Sequence, residues 1–189
     1  IALGFALSYL FFIGAQYTLD YSFHPEIFAV PIIAFAFYFL YKKKYLLHYI
    51  FIFLALMTKE NISVYIIFIS IFSLFFDLNK KVILIDILVS MFLLIISTKI
   101  IIPLFNPGGY PLLNFSDFGN NYYQIGTNIL FNPLHTLNVF FNSNLKIETF
   151  LKIFSSGGML PLLNPLSIIP AAPALMEQFL SSRSTQWDI

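Results

Sequence analysis

The sequence predicts an all-α protein: a polytopic transmembrane helix bundle with a largely helical external loop region. Of its 189 residues 59% are hydrophobic and only 10% are charged, whereas a soluble domain carries about a quarter charged residues. The apolar residues occur in long runs, which a bilayer requires more than a protein core does. Most of the lysines stand in short turns between those runs. These observations exclude a soluble globular domain.

Net charge, cysteine content and missing motifs exclude further classes. A formal charge of +1 is too small for a nucleic-acid-binding protein. Because the chain has no cysteine, it forms no disulfide, thiolate metal site or cysteine nucleophile. Phosphate-binding glycine loops, His-x-x-x-His pairs and nucleophile elbows do not occur, so soluble-type nucleotide or serine hydrolysis has no support. The chain starts at Ile1 inside an apolar run, without an initiator Met or signal-peptide features. We therefore expect it to be a fragment.

Apolar runs predict five transmembrane helices and a sixth membrane segment. The five helices cover residues 1–19, 26–41, 46–58, 61–76 and 82–105. The sixth segment, 159–180, is rich in proline and leads into a polar tail that ends at residue 189. Since prolines inside a helix remove backbone hydrogen bonds, this segment forms either a kinked crossing, which is slightly favoured, or a re-entrant hairpin. Whether the segment crosses the membrane or re-enters it decides on which side of the membrane Arg183 lies.

Two lysine clusters predict the orientation of the helices. Lys42 to Lys44 form one turn and Lys80 to Lys81 another. Because two spans separate these turns, both lie on one face, which the positive-inside rule makes cytoplasmic. We expect the membrane to be a prokaryotic plasma membrane. The segment 106–158 then lies on the external side.

The external segment 106–158 contains two predicted short helices, 133–142 and 145–155. In the second, Ile147, Phe150, Leu151 and Phe154 share one face, and Glu148 pairs with Lys152 on a polar face that also holds Lys146. This pattern is typical either of a helix lying flat on the outer membrane surface or of a helix packed inside an external domain. Both interpretations stay open.

Ionisable residues on the predicted external side lie at or just inside the ends of the spans. They are Asp20, His24, Glu26, Lys59, Glu60 and Lys99. Because an ionisable group inside a bilayer is costly, Lys99 indicates a polar cavity or a carboxylate partner. Helix capping explains the 24–26 group equally well. For the 58–61 group the alternative is an ordinary tight turn capped by Asn61, and a functional role is slightly favoured. Asp20, His24 and Glu26 also suit a divalent metal, though their spacing is not diagnostic. Asp86 is expected to pair with Lys80 or Lys81.

Several short motifs then occur in one order along the chain. They are Phe23-His-Pro-Glu26, Thr58-Lys-Glu-Asn61, Lys99-Ile-Ile-Ile-Pro103 followed by Asn106-Pro, the stretch from Tyr123 to Gly126, and Leu160-Pro-Leu-Leu-Asn-Pro165. Their order resembles an uncharacterised family of multi-spanning membrane proteins, domain of unknown function 2079, over essentially all 189 residues. That family usually has Asp where Asn61 stands, and its amino-terminal spans, with an acidic external loop, precede residue 1.

The family in turn looks like the GT-C-type membrane glycosyltransferases, which take sugars from polyprenyl-phosphate donors. This resemblance implies a GT-C-like bundle that transfers sugar at the external membrane face. Lys59, Lys99 and Arg183 are then candidate ligands of the lipid phosphate. Asp20, His24, Glu26 and Glu60 are candidate catalytic or positioning groups, with the main base expected in the missing loop. A membrane transporter and a non-catalytic membrane scaffold are the alternatives.

Overall fold

A computed structural model describes residues 26–106, 114–156 and 164–183. Within these ranges the chain forms helices and turns and no strand, so the described part of the protein is all-α, as predicted. The described residues fall into two compact units. The first unit contains residues 26–106 and 166–170, and the second contains 114–156, 164–165 and 171–183. The predicted span 1–19 lies outside the described residues.

The first unit is built from two helical hairpins. Its helices are α1, Glu26–Tyr41; α2, Tyr45–Leu56; α3, Ile62–Ser73; and α4, Lys80–Phe105. α1 packs along α2, and α3 packs along α4. The helices occupy the apolar runs from which spans were predicted, with α1 at the predicted residues and α2 and α3 ending a few residues early. Short turns join these helices, because each apolar run ends in a cluster of polar residues.

Local hydrogen bonds explain the hairpin turns. The Lys44 N–H donates to the Phe39 carbonyl (2.9 Å) and the Lys43 N–H to the Leu40 carbonyl (2.9 Å), an arrangement known as a Schellman motif. Lys43 has φ 57°, a left-handed conformation that glycine adopts more readily. At the start of α4 the Asn79 side chain accepts a hydrogen bond from the Lys81 N–H (3.1 Å). Both lysine clusters thus occupy helix ends, where their side chains are exposed.

α4 is the one helix of the described ranges that is both long enough and apolar enough to cross a bilayer. It contains 26 residues, which corresponds to about 39 Å. α1, α2 and α3 are apolar but shorter, and α2, with 12 residues, extends only about 18 Å. Four of the five predicted spans lie within the described residues, and one of these four is a clear span. The other three were predicted from runs of only 13 to 16 residues, shorter than the roughly 20 residues that a crossing requires.

The first unit buries small and polar side chains and exposes large apolar ones. Apart from Leu40, Leu56 and a few Ile and Val side chains, its buried residues are small or polar: Ala29, Ala36, Ala55, Ser63, Ser70, Ser73, Ser90, His48 and Asp86. Phe28, Phe53, Leu84, Phe92 and Ile95 are each more than half exposed. Small residues at helix contacts let helices approach closely, as they do in membranes. Only 6% of the most apolar window of α4 is buried, so α4 is not the core helix of a soluble fold.

The second unit contains four short helices around its own apolar core. They are α5, Tyr122–Phe131; α6, Pro133–Phe140; α7, Asn144–Ser156; and α8, Ile168–Phe179, whose first turn belongs to the first unit. The core consists of Phe118, Ile125, Val139 and Leu180. α6 and α7 lie where the sequence predicted helices, whereas α5 was not predicted. Asn121 caps the start of α5, because its side chain accepts a hydrogen bond from the Gln124 N–H (2.9 Å).

The amphipathic helix α7 directs part of its apolar face into the second unit. Phe154 is buried, and the ring of Phe150 lies 4.4 Å from the ring of Phe154 and 6.0 Å from that of Phe179. Ile147 and Leu151 of the same face are exposed, so the packed and the membrane-surface interpretations both stay open. The predicted Glu148 to Lys152 ion pair is present at 3.0 Å. Lys146, which the sequence assigned to the polar face, is instead buried.

Candidate functional site

The predicted acid and imidazole group lies largely outside the described side chains. Asp20 and His24 precede residue 26, and the side chain of Glu26 is likewise outside. The divalent-metal hypothesis for these three residues therefore stays a prediction. Among the residues that the structure describes, no three His, Asp or Glu side chains come together as a metal-binding set.

Lys59 and Glu60 lie in the turn between α2 and α3. The Ile62 N–H donates to the Lys59 carbonyl (3.2 Å) and the Ser63 N–H to the Glu60 carbonyl (3.2 Å), so the backbone forms the tight turn that one interpretation of the sequence expected. Both side chains are half-buried. They therefore lie at an end of the first unit's helices, where an ionisable group costs less than at the centre of an apolar bundle.

Lys99 lies in a π-helical turn of α4, Ser97–Ile101. The cause is Pro103, which has no N–H to donate to the Lys99 carbonyl and whose ring would collide with it. The chain responds by shifting register, and the Ile102 N–H donates to the Ser97 carbonyl, five residues back. Single π turns within α-helices often occur at functional sites. The motif Lys99-Ile-Ile-Ile-Pro103 therefore has a direct structural consequence.

The Lys99 ammonium is available to a ligand. Its side chain is exposed, and within the described ranges it makes no hydrogen bond or ion pair, so it does not pair with Glu60. Along α4 it lies about 28 Å from Lys80, near the end of the helix opposite the lysine turns. Arg183 is also exposed but belongs to the second unit.

A buried ion pair that the sequence did not predict joins three helices of the first unit. His48 on α2 and Asp86 on α4 are 0% and 1% exposed. The His48 Nε2 atom lies 2.9 Å from Asp86 Oδ2 and 3.1 Å from Oδ1. The His48 Nδ1 atom lies 2.9 Å from the Ala36 carbonyl on α1. Because a carbonyl only accepts, Nδ1 carries a hydrogen and donates it. The expected pairing of Asp86 with Lys80 or Lys81 is therefore wrong.

The pair is electrically neutral when one proton is shared between Nε2 and the carboxyl group. An added proton would leave a net positive charge in an apolar interior, and a lost proton would leave a net negative one, both of which are costly. Asp86 lies 13 positions before Lys99, or about 20 Å along α4. The pair and the Lys99 ammonium are therefore separate sites.

A sequence signal for this pair did exist. His48 is the one residue in the apolar run of α2 that readily carries a charge. Likewise, Asp86 is the one such residue between Lys81 and Lys99. Ionisable residues within apolar helices usually face the bundle interior and pair with one another. Matching solitary ionisable residues across runs, rather than along one helix, would have suggested His48 as the partner of Asp86.

The second unit has a buried cation of its own. The Lys146 Nζ atom donates to the carbonyls of Val139 (2.7 Å) and Phe179 (2.8 Å). These carbonyls lie in the last turns of α6 and α8, where a helix has no internal donors left. Burial lowers the pKa of Lys146, and the carboxylate of Asp117 partly opposes this effect. Lys146 therefore ties two helix ends together, and the sequence pattern of α7 gave no sign of this role.

Comparison with known proteins identifies a family and no more specific relative. The model of a family described as predicted membrane protein, domain of unknown function 2079, matches residues 1–189. No curated protein and no solved structure matches the chain.

Proposed function

The chain belongs to this family of predicted membrane proteins, and from that membership we propose that it is an integral membrane protein whose helices α1 to α4 form a polytopic bundle in the lipid bilayer. The support is the distribution of side chains in the first unit. Large apolar residues such as Phe28, Phe53 and Phe92 are exposed, whereas His48 and Asp86 are buried. Such a surface is stable in contact with acyl chains and unstable in water.

The proposed orientation places Lys42 to Lys44 and Lys80 to Lys81 in the cytoplasm and Gly109 outside. Single cysteines at Lys43 and Gly109 test it, because the chain has no cysteine of its own. A membrane-impermeant thiol reagent applied to intact cells should label position 109 and leave position 43 unlabelled until the cells are opened. Labelling of position 43 in intact cells would reverse the orientation.

The proposed activity is that of a GT-C-like glycosyltransferase which transfers sugar from a polyprenyl-phosphate donor at the external membrane face. The observation that carries it is the exposed ammonium of Lys99 in the π turn of α4, which pairs with no group in the described part of the chain. A cation in the outer part of an apolar helix is costly unless it meets a partner, and a lipid-borne phosphate is an anion that reaches this depth. A charge-assisted hydrogen bond to phosphate would offset that cost.

The other predicted residues take roles around this phosphate site. Lys59 and Arg183 are proposed as further phosphate ligands, which neutralise the leaving phosphate as the sugar bond breaks. Asp20, His24, Glu26 and Glu60 are proposed to position the acceptor hydroxyl, to pair with the cations or to hold a divalent metal. The base that removes the acceptor proton is assigned to the acidic external loop that the resemblance implies.

Transfer of radiolabelled sugar from a polyprenyl-phosphate donor to acceptors in membranes tests this proposal. Membranes that contain the full-length protein should transfer label. Lys99→Ala should lower transfer by about 10-fold to 100-fold, the effect of one charge-assisted hydrogen bond, and Lys99→Arg should retain part of it because the charge is kept. Lys81→Ala, at the opposite end of the same helix, is the matched control. No transfer by the wild-type protein would refute the enzymatic function.

A second candidate, a proton-coupled transporter, is favoured by the His48 and Asp86 pair. Carboxylate and histidine pairs inside helical bundles mark proton pathways in transporters. If this is the function, proteoliposomes should take up protons together with a substrate, and Asp86→Asn should abolish the uptake. In the glycosyltransferase, Asp86→Asn should alter stability and leave the transfer chemistry near Lys99 unchanged, since the two sites are separate.

A further inference from the structure

The tip of the α5–α6 hairpin exposes large apolar side chains to the surroundings of the second unit. Leu130 is 74% exposed, Phe131 78%, Leu134 78% and Leu137 56%. Together these four residues, termed the hairpin tip, form one apolar end where α5 turns into α6. A group of side chains exposed to this degree is unusual on a surface that faces water.

The exposure follows from the packing of the hairpin. On α5, Ile125 is buried in the core of the second unit and Ile129 packs against it, while on α6 Val139 is buried in the same core. These contacts set the rotation of both helices. Leu130 follows Ile129 directly and therefore points about 100° away from it. The tip residues cannot turn inward unless the core residues turn outward, so they remain on the surface of the second unit.

Part of the backbone of the tip is hydrogen-bonded within the hairpin. The Asn132 N–H donates to the Asn128 carbonyl (3.1 Å) and the Thr136 N–H to the Asn132 carbonyl (3.0 Å). The Thr136 hydroxyl lies 3.2 Å from the Ile129 carbonyl and 3.1 Å from that of Asn132. Pro133 has no N–H to satisfy. The Asn132 side chain makes no capping hydrogen bond to the first turn of α6, so the remaining N–H groups of that turn need partners from water or lipid headgroups, which are present at the membrane–water boundary and not in the hydrocarbon core.

The charge pattern also agrees with lipid. From Phe118 to Leu145 the sequence contains no Asp, Glu, Lys or Arg. No carboxylate, ammonium or guanidinium group therefore has to be moved into a medium of low dielectric constant when the tip is covered. His135 also lies in this stretch, and its Nε2 atom is 3.2 Å from the Asp117 carbonyl. The exposed ring of Tyr123, 80% exposed, lies on α5 about 12 Å from Phe131. Tyrosine prefers the depth of the lipid headgroups, so a tip that inserts into the acyl chains leaves Tyr123 among the headgroups.

We propose that the hairpin tip inserts into the membrane–water boundary and anchors the second unit to the bilayer surface. The occupant of this surface is lipid, held by apolar contact and not by headgroup charge. Leu130, Phe131 and Leu134 lie among the upper acyl segments, and Tyr123 lies among the headgroups. The anchor depends on membership of a membrane protein family and not on the proposed sugar transfer, so each can fail without the other.

Fluorescence quenching in the full-length protein tests the anchor. A polarity-sensitive fluorophore is attached to Leu134→Cys in proteoliposomes of neutral phosphatidylcholine, and Phe131→Cys provides a second position. Glu148→Cys, on the second unit and 60% exposed at its side chain, is the matched control. All three are surface positions, so the folded protein is expected in each case and is checked by its helical circular dichroism.

Three results are distinguishable. If the tip is in lipid, the fluorophores at 131 and 134 lose emission to brominated lipids and not to aqueous iodide, while the one at 148 shows the reverse. Quenching of 131 and 134 by iodide to the same extent as 148 would place the tip in water and overturn the proposal. Protection of 131 and 134 from both quenchers would show that protein covers the tip, either another part of the chain or a second copy, and would also overturn it.

Discussion

Removal of either member of the buried His48 and Asp86 pair should destabilise the helical bundle, and removal of both should restore most of the stability. Asp86→Val leaves the His48 Nε2 atom buried without a partner. His48→Leu likewise leaves the Asp86 carboxyl group buried without a partner. The double variant replaces two polar groups that satisfy each other with two apolar groups. Such a replacement is often nearly neutral, whereas breaking a buried pair is costly.

The size of the effect follows from the geometry. Loss of one partner from a buried ion pair costs about 3–5 kcal/mol, while hydrogen bonds between membrane helices average about 0.6 kcal/mol and reach about 1.7 kcal/mol. The pair has two short contacts, 2.9 and 3.1 Å, and neither side chain is exposed to water. However, the remaining partner can become neutral by losing or gaining a proton. We therefore expect each single variant to lose about 2 kcal/mol and the double variant about 1 kcal/mol or less, which corresponds to a coupling energy of about 3 kcal/mol.

Reversible unfolding in mixed micelles of a mild detergent and dodecyl sulfate, followed by far-ultraviolet circular dichroism, measures these values. Asp86→Asn is the control, because its side chain keeps one hydrogen bond to His48 and should lose only about 1 kcal/mol. If the double variant lost the sum of the two single losses, the two residues would be energetically independent, and the proposed link between α2 and α4 would be wrong.

Two further predictions concern Lys146 and Pro103. Lys146→Met leaves two helix-end carbonyls without a donor and should lower the free energy of unfolding by about 2 kcal/mol. The control Lys152→Met, at an exposed position, should change it by less than about 0.5 kcal/mol. Equal effects of the two substitutions would contradict the conclusion that Lys146 ties two helix ends together. Because burial lowers the pKa of Lys146, the unfolded chain binds this proton more tightly. Stability should therefore rise with pH between the lowered native pKa and the ordinary lysine pKa, and in Lys146→Met that rise should be absent from denaturation curves recorded at several pH values. Pro103→Ala restores a backbone N–H and allows a regular α-helix, so the same unfolding measurement should show greater stability. Sugar transfer should fall, because the Lys99 side chain is then rotated about the axis of α4. Unchanged transfer would show that the π turn is not required for activity.

Local sequence features predicted much of the first unit. The apolar runs located α1 to α4, and the run 26–41 coincides with α1, because a long apolar stretch bounded by polar clusters has few alternatives to a helix. The lysine turns and the Glu148 to Lys152 pair involve neighbours along the chain and were equally visible. The π turn at Lys99 follows from a proline four residues later, although the sequence analysis did not identify it.

The missed features depend on residues that are far apart in the chain. His48 and Asp86 are 38 positions apart and Lys146 and Phe179 are 33 apart, and periodicity within one helix carries no information about which helix faces meet. α5 escaped prediction because its asparagines, glycine and short length weaken any helical pattern. By itself the sequence determined that the described residues are helical, that their surface is apolar as in a predicted membrane protein family, and that the lysines of the first unit gather at helix ends, since helix formation and hydrophobicity are local properties. The tertiary structure alone decided which polar groups are paired and buried, because burial depends on how helices pack together.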